Sequence, residues 1–100
     1  MAAIADFYMA QGSSFIEAVD MTGDYTGYTI SISISDSTGT SVANTATWTD
    51  IANGKFKLEV DETITANVAT GVAKYNVKID NGTNVFRLLQ GRIYVDGDVG

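Results

Sequence analysis

The strongest constraint in this chain is the run Tyr28-Thr29-Ile30-Ser31-Ile32-Ser33-Ile34-Ser35, in which apolar and hydroxyl side chains alternate without a break. A helix would scatter these residues around its circumference. In a strand, successive side chains point to opposite faces, so Tyr28, Ile30, Ile32 and Ile34 are expected to meet a core and the hydroxyl residues to meet water. One dry face and one wet face is the pattern of an antiparallel sheet, not of a parallel sheet covered on both sides.

The same period returns along the chain. Phe56, Leu58 and Val60 alternate with Lys55, Lys57 and Glu59. The preceding Asn53-Gly54 favours positive φ and a tight reversal out of a strand over Ser41 to Thr49, with Val42 and Trp48 as its core members. From Val72 to Asp80, Tyr75, Val77 and Ile79 alternate with Lys74, Asn76 and Lys78, and Asn81-Gly82 then turns the chain into Val85 to Gln90. Gly91 interrupts the closing strand before Arg92-Ile93-Tyr94-Val95. A lone glycine inside a strand marks a bulge or a close backbone approach, so a kink is predicted there. Asp6 to Ala10 and Ser14 to Met21 read as short strands around Gln11-Gly12-Ser13, and Asp61 to Val68 breaks the alternation with an acidic start suited to a single helical turn.

About seven short strands, with turn signals roughly every ten residues, predict an all-β fold: an antiparallel β-sandwich, Ig-like or related, filling residues 1–100 as one domain. With 45% hydrophobic residues in 100 the chain can supply its own core, and with no cysteine it does so without disulfides. It also has no proline, a common guard of sheet edges, so its outer strands near either terminus are candidate assembly edges.

Composition narrows the function. Twelve acidic against six basic residues give a net charge of −6, which repels a phosphate backbone, so nucleic acid is not an expected partner. No apolar run approaches the roughly 20 residues that span a bilayer, and the N-terminal residues lack the basic start of a signal peptide, so no membrane insertion is expected. The chain has no histidine and no cysteine. That removes the usual general base, the thiol nucleophile and the commonest metal ligands together. Asp61-Glu62 and Asp96 with Asp98 are acids close in sequence, better read as solvated surface than as a catalytic pair, and Asp96-Gly97-Asp98 lacks the downstream bidentate glutamate of a calcium loop. The expectation is a protein with no catalytic residue, no metal and no cofactor, working through contacts.

Candidates for apolar protein contacts are Phe7 and Met9, in a stretch that alternates poorly, and Phe86, because Val85-Phe86 and Leu88-Leu89 put apolar groups on both faces of a strand. An alternative reading is a sugar-stacking surface, for which Tyr8 and Tyr25, with the Asn81-Gly82 loop, are the aromatics expected to be exposed. Tyr28, Trp48, Tyr75 and Tyr94 sit in alternating segments and are expected in or at the edge of the core.

Two stretches carry a resemblance. Gln11-Gly12-Ser13-Ser14-Phe15 with Thr26-Gly27-Tyr28-Thr29-Ile30, and Tyr75-Asn76-Val77-Lys78-Ile79-Asp80 with Val85-Phe86-Arg87-Leu88-Leu89-Gln90-Gly91-Arg92-Ile93-Tyr94-Val95, are similar to the opening and closing segments of small Ig-like virion proteins of tailed bacteriophages. These are akin to the N-terminal domain of the phage baseplate upper protein. The resemblance covers most of the chain. It implies a structural virion component that docks on tail, baseplate or fibre proteins, in multiple copies in a symmetric assembly, with capsid decoration as the alternative. Where that family continues with a proline and a Val-Thr pair, this chain reads Asp96-Gly97-Asp98-Val99-Gly100, which fits a free-standing subunit better than an adaptor with a fibre behind it.

Overall fold

The computed structural model describes residues 3–97, and in it alternation is converted into two packed sheets. The strands are β1 (Ala3–Ile4), β2 (Phe7–Ala10), β3 (Phe15–Asp20), β4 (Thr29–Ser35), β5 (Thr45–Asp50), β6 (Lys55–Val60), β7 (Gly71–Asp80) and β8 (Val85–Asp96). A 3-10 turn, Ile51–Asn53, joins β5 to β6, and a one-turn helix, α1 (Glu62–Thr65), joins β6 to β7. One sheet has three strands in the order β3-β6-β5; the other has five, with β8-β7-β4 in sequence and both β1 and β2 added along the free side of β8.

Counting β1 and β2 as one interrupted strand gives seven, and the ladders β3-β6-β5 and β8-β7-β4 are those of an immunoglobulin-type sandwich. The fold is an all-β sandwich. One departure from a purely antiparallel design is that β1 and β2 run parallel to β8. A second is that β8, the closing strand, is interior to its sheet, so the edges are β1-β2 and β4 in one sheet and β3 and β5 in the other.

The core is the inward row of each strand. Phe56, Leu58 and Val60 from β6 face Ala73, Tyr75, Val77 and Ile79 from β7 and Leu89, Ile93 and Val95 from β8, all buried. In β4 only Ile34 is fully buried, while Ile30 and Ile32 are half-buried, because β4 is an edge strand with cover on one flank only. Fully burying a Val, Leu, Ile or Phe side chain of this core contributes roughly 1.5–3 kcal/mol. Thr65 of α1 is fully buried as well. Its hydroxyl donates to the Ser13 carbonyl at 2.8 Å, also lying 3.0 Å from the Glu62 carbonyl, and so pins the helical turn against the β2–β3 connection.

Three local expectations change. The strand predicted from Ser41 begins only at Thr45; Ser41 makes a single bridge to Ser35, and Val42 is buried from a loop position. The Asn53-Gly54 reversal is a 3-10 turn closed by Gly54 in the left-handed region at φ 74°, with Asn53 itself at negative φ. Most instructive is Gly91. The β7–β8 register slips at Leu88, between Val77↔Leu89 and Lys78↔Arg87, while Gly91 lies in regular pairing opposite Tyr75. Its role is a close approach: a methyl group on Gly91 would overlap the Ala5 carbonyl oxygen outright.

Candidate functional site

At the end of the sandwich formed by residues 21–28, 51–54 and 81–84, aromatic side chains make a continuous chain of ring contacts. Trp48 packs edge-on against Phe56 at 5.7 Å, Tyr25 stacks on Trp48 at 5.4 Å with ring planes 18° apart, Tyr28 meets Tyr25 edge-on at 6.5 Å, and Phe86 tilts against Tyr28 at 6.4 Å. The ladder starts inside the core and ends at the surface, where Phe86 is 49% and Val85 61% exposed. The Trp48 Nε1–H donates to the Tyr28 carbonyl at 3.1 Å, so the indole is fixed by a hydrogen bond as well as by stacking.

The loops that carry these rings are tied down locally. The Asp24 carboxylate accepts from the Thr26 hydroxyl at 2.6 Å and from the Thr26 amide at 2.9 Å, and these bonds hold its pKa below the ordinary 3.8. The Tyr25 amide donates to the Ile51 carbonyl and the Met21 amide to that of Gly54. In the β7–β8 turn, Asn81 Oδ1 accepts from the amides of Thr83 at 2.9 Å and Asn84 at 2.7 Å, and Asp80 Oδ1 from that of Gly82 at 2.7 Å. Side chains of Asp and Asn that satisfy the backbone of a turn hold it in one shape. A surface held this way loses little conformational entropy when a partner covers it.

The predicted contact residues separate on inspection. Phe86 is at the surface, 49% exposed. Met9 is a correction: it is 3% exposed and packs in the core. Its register partner is Val95, an inward residue of β8, so Met9 must face inward as well. Phe7 points the same way, half-buried, with its ring 6.3 Å from Phe15 and 5.5 Å from Tyr75. Of the two tyrosines considered for sugar stacking, Tyr8 is 72% exposed and stacks on Tyr94 at 5.4 Å, whereas Tyr25 is half-buried under its own ladder. Tyr8 and Tyr25 lie at opposite ends of the sheet: Tyr94, the partner of Tyr8, pairs with Val72 at the start of β7, and β7 runs roughly 30 Å to the end where Tyr25 sits. One small ligand does not span both.

Among the described residues no three acidic side chains converge to hold a metal ion, and Asp98 lies outside those residues. Asp61 precedes α1 and accepts from the Thr63 hydroxyl at 3.0 Å, which occupies it in the helix start. Among the described residues no helix is long and apolar enough to cross a membrane.

An immunoglobulin-type sandwich with an ordered aromatic end defines the class. Comparison with known proteins agrees at the level of fold. One solved structure, a family 123 glycoside hydrolase from Clostridium perfringens described in terms of glycolipid glycan hydrolysis, superposes with a TM-score of 0.68 at 10% identity over 97% of this chain. The chain spans 23% of that enzyme's length. At that identity the likeness is one of fold alone. No family model matches the sequence, and no curated protein aligns with it.

Proposed function

We propose that this protein is a non-enzymatic structural component of a bacteriophage virion, docking on tail, baseplate or fibre proteins through its aromatic end. The observation that carries the reading is the exposed Val85-Phe86 pair anchored on the Tyr28–Tyr25–Trp48–Phe56 ladder. Rigid aromatics at a fixed site are the usual anchors of protein interfaces, since they bury large area with few rotatable bonds. The absence of histidine and cysteine from the sequence supports a role without catalysis. The phage setting follows from the resemblance in the opening and closing segments.

Quantitative mass spectrometry of purified particles tests the reading. Copies in a fixed ratio to a tail or baseplate protein are expected; copies in ratio to the major capsid protein would indicate capsid decoration instead. Absence from particles would overturn the proposal.

A further inference from the structure

The chain is acidic overall, yet its cations are concentrated. Of six basic residues, four, Lys74, Lys78, Arg87 and Arg92, are exposed on the outer face of β7 and β8. They stand in directly opposed pairs, Lys74 across from Arg92 and Lys78 across from Arg87. Like charges facing each other across a ladder are destabilising. No carboxylate lies within ion-pair distance of them: among the described residues the only ion pair is Lys57–Glu59, on the other sheet. Asp6 and Asp80 share this face, but they accept from backbone amides, Asp6 from that of Arg92 at 3.0 Å and Asp80 from that of Gly82 at 2.7 Å.

The bulge at Leu88 shapes this surface. In a regular strand, residues three apart point to opposite faces; the extra residue puts Arg87 and Gln90 on the same face, where the guanidinium donates to Gln90 Oε1 at 3.0 Å. Between the cation pairs lies a concavity of about 480 Å³ lined by Lys74, Arg87, Arg92, Asn76, Gln90 and, as its one carboxylate, Asp6. Asn76 Oδ1 is buried there with no hydrogen-bond partner, an acceptor left without a donor. One outward row beyond Arg92 is the stacked Tyr8–Tyr94 pair with its exposed ring.

We propose that this groove binds an acidic saccharide, a sugar chain bearing carboxylate or phosphate groups. The cations take the anionic groups through charge-assisted hydrogen bonds. The Asn76 and Gln90 side chains lining the groove supply neutral polar groups for sugar hydroxyls, which an anion alone does not provide, and the Tyr8 ring offers an apolar face to a sugar ring. The Lys74 and Lys78 rows are four residues, about 13 Å, apart, so the site spans more than one sugar unit. The site lies on the outer face of β7 and β8, where Arg87 adjoins the Val85-Phe86 pair, and the proposal does not depend on the docking role.

The test is titration calorimetry of the whole chain with an oligogalacturonate and with a phosphorylated oligosaccharide, against a neutral oligosaccharide of equal length and a polyglutamate peptide of equal charge. At least one acidic sugar is expected to bind, more weakly as salt rises, and about tenfold or more weakly to Lys74→Glu or Arg92→Glu. Asn76→Ala is expected to weaken the sugar and leave polyglutamate unchanged. Lys74→Glu faces Arg92 with an opposite charge, so its melting temperature should equal or exceed that of the parent, which separates lost binding from lost folding. Binding of polyglutamate or of the neutral sugar as tightly as the acidic sugars would overturn the proposal, as would binding of neither acidic sugar. A salt-sensitive dimer in sedimentation, abolished by Lys74→Glu, would also overturn it by assigning the face to a second copy of this chain.

Discussion

Tyr75 and Gly91 are direct cross-strand partners, and the side chain that Gly91 lacks is what allows the Tyr75 hydroxyl to be satisfied. The Ala5 carbonyl occupies the space over Gly91 and accepts from the Tyr75 hydroxyl at 2.6 Å. That turn of the backbone is also why the N-terminal strand is interrupted. The Ala5 amide still donates to the Gln90 carbonyl at 3.0 Å, but at Asp6 the side chain, not the main chain, takes the Arg92 amide before pairing resumes at Phe7.

Gly91→Ala is therefore expected to push β1 and the Ala5-Asp6 link off β8. Overpacking of this kind costs about 1–3 kcal/mol. Urea denaturation should show the loss, and hydrogen exchange should show it concentrated in the amides of Ala5 and Arg92. Unchanged exchange at those amides would argue against the close approach as the reason for the glycine.

Tyr75→Phe removes the hydroxyl and leaves the Ala5 carbonyl without that donor, an expected loss of about 1 kcal/mol at neutral pH. It also changes the alkaline limb. Burial, and secondarily the Asp6 charge, push the Tyr75 phenol from 10.0 up to about 12. The folded state holds this proton where the unfolded state has released it, so the stability involved is whole below pH 10 and is lost as pH rises toward 12. The parent should lose stability more steeply than Tyr75→Phe across that window, the difference removing the common contribution of the other tyrosines and lysines.

Met9→Ala and Phe86→Ala are expected to part company. Met9 sits in the core, and its truncation should cost about 2–5 kcal/mol in denaturant titration. Phe86 is half-exposed, so its truncation should cost under about 1 kcal/mol and, under the proposed docking role, reduce incorporation into particles. Normal incorporation of Phe86→Ala would move the docking surface elsewhere.

Asp36→Asn tests the β4–β5 connection. One Asp36 carboxylate oxygen accepts from the Thr38 hydroxyl at 2.6 Å and from the amides of Thr38 and Thr40 at 2.9 and 3.0 Å. The Thr38 hydroxyl foremost, with these amides, holds the pKa below the ordinary 3.8 against the opposing effect of burial. A lowered carboxylate pKa stabilises the fold above the unfolded value and ceases to do so as pH falls through the folded value. The melting temperature of the parent should fall more steeply than that of Asp36→Asn below about pH 4.

Much of this architecture is legible in the sequence. Where alternation is unbroken, as in Tyr28 to Ser35, Lys55 to Val60 and Val72 to Asp80, period and burial direction agree with the structure because the core dictates both. Phe7 and Met9 show where legibility stops. Phe7-Tyr8-Met9-Ala10 is a short strand with apolar side chains on both sides, and only its pairing with Ile93 and Val95 decides which side is inside. Phe86 lies on the inward row opposite Ile79, and it is half-exposed because it stands at the end of the sheet beside the β7–β8 turn, a position that alternation alone does not give. The cationic face was visible only as scattered residues: Arg87 and Arg92 are an odd number apart and would point to opposite faces without the bulge at Leu88.

The sequence by itself determined the period of the strands, the reversals at Asn53-Gly54 and Asn81-Gly82, the acidic balance and the lack of histidine and cysteine. Those are local properties, fixed by side-chain chemistry and backbone sterics within a few residues. Gly91 likewise marks a break, but whether it is a kink or a place of contact depends on Ala5, more than eighty residues away in the chain. Tertiary structure alone decided that, together with the parallel docking of the first strand and the gathering of four cations on one face. Each depends on register between distant strands, which no local pattern carries.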